Sequence, residues 1–218
     1  MDDLDGNVDI KMSYGNMKVG NLAGTTEVKL SYGNGEVETI DNGELSIGYS
    51  NMNIEEIGNV DISSHYSNVE FQKAKDVTLS NKYGNFQFDD VNSLKGSSKY
   101  GKVSIYRLHN SLVLDLTYGT GVNVKWISKN FNWIEIDASY SGSTLNFERG
   151  FGAELQGYFK YCDLKYSKDD FDFSYIDKGT SSSEYKGRIG SGSGNAKIRL
   201  KSSYGSVRIG YSSLNGND

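Results

Sequence analysis

Hydrophobic and polar residues alternate along this chain in short runs, and the runs are interrupted at fixed intervals by a tyrosine followed by a small residue. Val60-Asp61-Ile62-Ser63-Ser64-His65-Tyr66-Ser67-Asn68-Val69-Glu70-Phe71 shows the unit. Period-two alternation on both sides of a turn predicts two short strands. Aligned on the tyrosine, Tyr14, Tyr32, Tyr49, Tyr66, Tyr83, Tyr100 and Tyr118 follow one another at 17 or 18 residues. Apolar residues return four positions before it (Ile10, Val28, Leu45, Ile62, Leu79, Leu114) and three after it (Met17, Met52, Val69, Phe86, Val103). A repeat that returns every residue type to one register predicts stacked coils, an all-β parallel β-solenoid, because only stacking places like on like. The competing reading is an antiparallel hairpin meander built on the same Gly-Asn corners, which has no need of a uniform register.

The residues after the tyrosine, as in Gly15-Asn16, Gly33-Asn34, Ser50-Asn51, Ser67-Asn68 and Gly84-Asn85, suit a sharp corner and are expected to supply its positive φ. Stacked coils put Asn16, Asn34, Asn51, Asn68 and Asn85 in a column whose amides can hydrogen-bond along the axis, and the tyrosines can stack likewise. Beyond Tyr118 the spacing loosens to 22 residues at Tyr140 and 21 at Tyr161, and a full repeat returns at Ile198 to Ile209 around Tyr204. The chain therefore reads as one domain of about eleven or twelve coils of 17 to 22 residues. Regular coils span 1–125, looser coils 126–167, an irregular coil or projecting loop 168–194, and a regular C-terminal coil 195–212. The absence of proline leaves the backbone ladder uninterrupted.

Composition narrows the function classes. The chain has 218 residues, 36% of them hydrophobic, enough for a packed interior. A net charge of −5 gives no overall footprint for nucleic acid. No apolar run is long enough to cross a membrane as a helix. Cys162 is the only cysteine and is expected to be a buried, inert thiol. Met1 to Gly6 lacks the basic and apolar regions of a signal peptide, and a start in mid-repeat is expected of a chain trimmed of an upstream segment.

Candidate chemistry is sparse. His65 and His109 have no metal-ligand spacing around them and read as structural or surface residues. Gly190-Ser191-Gly192-Ser193-Gly194 matches a nucleophile motif only by composition and reads as a flexible turn. Asp169, Asp170 and Asp172 form the acidic cluster best placed for a cation or for acid-base work, against a bland reading as a solvated strand face. Tyr158, Tyr161, Tyr166, Phe171, Phe173 and Tyr175 crowd the region where the repeat breaks down and are the aromatic candidates for a binding patch. No cofactor is expected.

Coils ending in Ser-Tyr-Gly-Asn, together with Gly192-Ser193-Gly194 and Ile198-Arg199-Leu200-Lys201-Ser202-Ser203-Tyr204-Gly205-Ser206-Val207-Arg208-Ile209, resemble the bacterial adhesin-like β-helix family over nearly the whole chain. The resemblance implies a right-handed parallel β-helix, export to the periplasm or outer surface of a bacterial cell, and a non-enzymatic adhesin-like role with a protein or glycan ligand. It carries no catalytic residues, because the matching positions are those that build coils. A carbohydrate-active enzyme on the same scaffold, and a periplasmic sensing or scaffolding partner in an envelope stress circuit, are the alternatives.

Overall fold

In the computed structural model, which describes residues 3–167 and 171–214, the repeats stack as a parallel β-solenoid without helix. Strands β1 (Leu4–Asp5), β2 (Val8–Gly48), β3 (Asn51–His65), β4 (Asn68–Lys82), β5 (Asn85–Lys99) and β6 (Lys102–Thr117) pair in chain order. Each strand from β3 to β6 is a whole coil, and only the tyrosine corner interrupts it. Stacking is residue on residue, so Val69 lies between Met52 and Phe86, and Leu79 between Ile62 and Gly96.

The burial pattern shows how one strand closes into a coil. In β4 the buried positions are Val69, Phe71, Ala74, Val77, Leu79 and Asn81. Steps of two keep alternate side chains on one face of a flat strand. The two steps of three, at Phe71 to Ala74 and Ala74 to Val77, turn the chain so that the same face stays inward. The interior is a continuous column of buried aliphatic and phenylalanine side chains, with Phe71 stacked on Phe88 at 4.8 Å.

The corner departs from expectation. Positive φ belongs to the tyrosine itself, at 52° to 61° in all ten cases: Tyr14, Tyr32, Tyr49, Tyr66, Tyr83, Tyr100, Tyr118, Tyr140, Tyr161 and Tyr204. The following residue is small for a different reason, the closeness of the neighbouring coil. A Cβ on Gly33 would come within 2.0 Å of the Gly15 carbonyl oxygen. Where serine takes this place it is buried and useful: Ser50 Oγ accepts from Gly33 N–H at 3.2 Å and donates to Gly48 O at 2.8 Å.

The stack then abandons chain order. β6 is followed by β7 (Gly121–Ile127), β8 (Trp133–Ser139) and β9 (Gly142–Phe147), and the chain continues to β10 (Ala153–Lys160) and β11 (Leu164–Lys165). These two sets of strands do not pair with each other. The C-terminal coil, β14 (Ala196–Ser203) and β15 (Val207–Tyr211), lies between them, with β14 pairing in parallel with both β8 and β10 and β15 with both β9 and β11. The regular C-terminal coil expected over 195–212 is thus present, as an inserted one.

The return path explains the insertion. Strands β12 (Phe171–Lys178) and β13 (Ser182–Ile189) form a hairpin that pairs antiparallel on the far edge of β10 and covers the end of the core with Tyr185 and Ile189. This hairpin replaces the irregular coil or projecting loop expected over 168–194, and the described residues hold ten tyrosine corners where eleven or twelve coils were expected. The Gly190 to Gly194 run is the crossing back into the gap: Gly192 N–H donates to Phe151 O at 2.7 Å, and a Cβ on Gly152 would meet Gly192 O at 2.0 Å. It is a close backbone crossing held by hydrogen bonds, including two from Arg188 Nη2 to the Gly192 and Gly194 carbonyls.

Candidate binding surface

Because the tyrosines share one register, their rings form a single ladder in the order 14, 32, 49, 66, 83, 100, 118, 140, 204, 161. Successive centroids are 4.7 to 5.4 Å apart with interplanar angles of 2° to 21°. The ladder crosses the break in chain order without a gap, since Tyr204 stacks on Tyr140 and on Tyr161, each at 4.7 Å. The backbone follows: Tyr140 N–H donates to Ser203 O, and Tyr204 N–H to Lys160 O. At the strand spacing the stripe is roughly 45 Å long.

All ten tyrosines are at least 36% exposed. Their faces cover one another, so the stripe offers solvent the ring edges and a row of phenol hydroxyls. Partial desolvation, and next the Tyr161 and Tyr140 phenols, hold the Tyr204 hydroxyl above its ordinary value. Tyrosine at φ near +55° is a costly choice, on the order of 1 kcal/mol or more per residue, where glycine or asparagine would sit with less strain. Ring stacking, worth about 0.5–1.5 kcal/mol per pair, offsets that cost without requiring the exposed edge.

A column of asparagines borders part of the stripe, as the repeat predicts. Asn34, Asn51, Asn68 and Asn85 each donate Nδ2–H to the Oδ1 of the preceding asparagine, from Asn16 onward, at 2.9 to 3.3 Å. A second polar column, not anticipated from the repeat, runs along the opposite corner, where Asn59 donates to Asn42 and Asn110 to Ser93. The amide ladder ends at Asn85, whereas the tyrosine ladder continues to the end of the stack.

The aromatic candidates separate into different roles. Tyr161 is the terminal ring of the ladder. Tyr166, Phe171, Phe173 and the fully buried Tyr185 form one cluster with ring contacts of 5.0 to 6.1 Å and seal the end of the core, which makes them packing residues of the cap. Tyr158 and Tyr175 are exposed on separate strands, Tyr175 with Lys186 Nζ 5.2 Å from its ring centroid. Asp169 and Asp170 lie outside the described residues, and Asp172 is exposed opposite Arg188. Among the described residues no three His, Cys, Asp or Glu side chains gather around a point where a metal ion could sit.

One polar cluster escaped prediction. Asp163 accepts hydrogen bonds from Tyr185 Oη at 2.6 Å, Lys178 Nζ at 2.9 Å, Ser183 Oγ at 3.0 Å and Leu164 N–H at 2.9 Å. Desolvation pushes its carboxyl up, but the four donors outweigh it and hold the pKa at about 2. Desolvation and the bond to Asp163 raise Tyr185 above its ordinary value, and bonds to Tyr185 and Asp163 raise Lys178. Asp163 occupies the column held by asparagine in the regular coils, and that substitution is the sequence signal for the cluster. It ties the cap hairpin to the last coil. Beside it Cys162 is half-buried rather than buried, with Sγ 3.5 Å from Ser202 O. The histidines are structural: His65 lies edge-on to Tyr49, and His109 Nε2 meets Asp90 at 3.0 Å.

No family model, curated protein or solved structure matches this chain.

Proposed function

We propose that this protein is a non-enzymatic, adhesin-like binding module of a bacterial cell envelope, and that its tyrosine stripe is the surface that engages a protein or glycan ligand. The observation that carries the reading is the continuity of the stripe through Tyr204. The inserted coil reaches its place by a different path from every other coil, yet it presents the same strained, exposed ring in the same register. Core packing does not require that ring. A long row of amphipathic phenols, each with an apolar edge and a hydroxyl, is suited to holding an extended ligand through many weak contacts.

The envelope setting rests on the resemblance of the coil sequences. No helix among the described residues is long and apolar enough to cross a membrane. The test is binding of the purified chain to glycan and envelope-protein arrays, alongside a Tyr66→Gly/Tyr100→Gly variant of unchanged secondary structure. Ligands lost by the variant support the stripe. Ligands retained in full, or mapped by crosslinking to another face, refute it.

A further inference from the structure

The stripe is not chemically uniform along its length, and its borders differ from the rest of the surface. The positions immediately before and two after each tyrosine carry Ser, Gly, Thr, Asn, His or Lys in every coil except the last, where Asp163 appears. Basic residues concentrate at the middle. His65, Lys82 and Lys99 follow one another in register on one border, and Lys102 continues the asparagine column on the other. All four are exposed, and Lys82 Nζ lies 5.4 Å from the Tyr83 ring centroid.

Many other cations of this protein are neutralised by neighbours, as in Lys11 with Asp9, Lys18 with Glu36, Lys178 with Asp163 and Lys201 with Asp137. Lys82, Lys99 and Lys102 make no ion pair among the described residues. Acids of these and the preceding coils, Glu36, Glu38, Glu55, Glu70 and Asp89, gather instead on the next face, around a groove of about 360 Å3. A basic border thus lies beside a mostly acidic groove in a chain whose net charge is −5. A local field of one sign selects partners of the other.

Building on the binding-module reading, we propose that the stretch of stripe from Tyr66 to Tyr118, flanked by Lys82, Lys99 and Lys102, binds an extended anionic polysaccharide, a polyuronate chain lying along the solenoid axis. The lysines meet carboxylates, and the phenol and asparagine rows meet sugar hydroxyls. An extended 1,4-linked polyuronate also repeats on a length close to the strand spacing, so successive units can meet successive coils. Single-stranded nucleic acid is disfavoured by the same geometry, because base stacking needs open ring faces and these faces are covered by one another.

The experiment uses the full chain and polygalacturonate, with calorimetry or affinity electrophoresis as the readout. Two variants of equal charge are compared: Lys82→Gln/Lys99→Gln/Lys102→Gln at the stripe and Lys73→Gln/Lys75→Gln/Lys95→Gln away from it. Removing three exposed charge contacts is expected to weaken binding roughly tenfold in the first variant and scarcely in the second. Added salt should weaken the wild type and bring it towards the stripe variant. No binding of polygalacturonate at low salt, or equal loss in both variants, overturns the proposal. Equal or tighter binding of a neutral glucan, of polyglutamate or of oligo(dT) overturns the ligand class. If polygalacturonate fails while array ligands are still lost on Tyr66→Gly/Tyr100→Gly, this inference falls and the binding-module reading stands.

Discussion

The coils between Asn34 and Lys102 and the coils after Trp133 solve one problem in two ways. In the first region every coil lies on its sequence neighbour, corner on corner, and the asparagine column links the coils with neutral amides. In the second, a coil comes from the far end of the chain to fill a gap, the last coil is covered by an antiparallel hairpin, and a charged cluster at Asp163 replaces the amide. The tyrosine stacking is common to both. Stacking of repeats therefore specifies what a coil must look like but leaves open which coil lies next to which.

This comparison sets the largest expected effect. Ending the chain at Gly190 removes β14 and β15 with the buried Ile198, Leu200, Val207 and Ile209, and it strips a partner from the coils on both sides. In a stack held by nearest-neighbour interfaces this deletion removes two interfaces. Urea unfolding should show a loss of about 5 kcal/mol or more, or no cooperative transition at all. Deleting residues 1–18 removes a single interface at one end and should cost markedly less. Equal losses would show that the inserted coil is not the keystone of the C-terminal part.

The next test bears on the feature the two regions share. Tyr83 has φ 59° and stacks on Tyr66 and Tyr100, both at 4.7 Å. Tyr83→Ala keeps the strained backbone and loses both ring contacts, with an expected cost of about 1–3 kcal/mol. Tyr83→Gly loses the contacts but relieves the strain, so it should be the more stable of the two by about 1 kcal/mol. That order is the reverse of the usual one for a strand interior. Tyr204→Ala and Tyr204→Gly should show the same reversal, and a normal order at either site would remove the strain argument there.

How far the sequence alone reached follows from the same contrast. The interval between tyrosines, the inward apolar positions and the Asn16 to Asn85 column were legible, because each is a periodic property and a stack converts period into contact. The seat of the positive φ was not: residue preference points to Gly and Asn, and only the crowding of Gly33 against Gly15 O shows that the small residue answers a steric demand. Coil order was not legible either, since Ile198 to Ile209 matches the pattern of every coil and so fits beside any of them. The aromatic run at Tyr166, Phe171 and Phe173 looked like a surface because its partner Tyr185 lies 12 or more residues further along in a hairpin that periodicity does not reveal.

The two polar solutions can be separated in turn. Asn68 donates to Asn51 and accepts from Asn85, so Asn68→Ala breaks two side-chain hydrogen bonds on an exposed column. The expected loss is about 1 kcal/mol, measured from the urea midpoint, and it should be the same at pH 3 and pH 7 because amides do not titrate.

Asp163 should behave in the opposite manner. Its folded pKa of about 2 lies below the ordinary 3.8, so the folded state holds the carboxylate more strongly than the unfolded chain does. Its contribution is fully present above pH 4 and is lost as pH falls through that value towards 2. The side chain is 47% exposed, so solvent screening reduces the contribution to the order of 1 kcal/mol or less. Asp163→Asn should therefore be less stable than wild type at pH 7 and approach it near pH 2, as measured by urea unfolding across that range. A difference that stays constant with pH would mean that the cap is held by the shape of the cluster, by Tyr185 and Ser183 as neutral donors, and that its charge adds nothing.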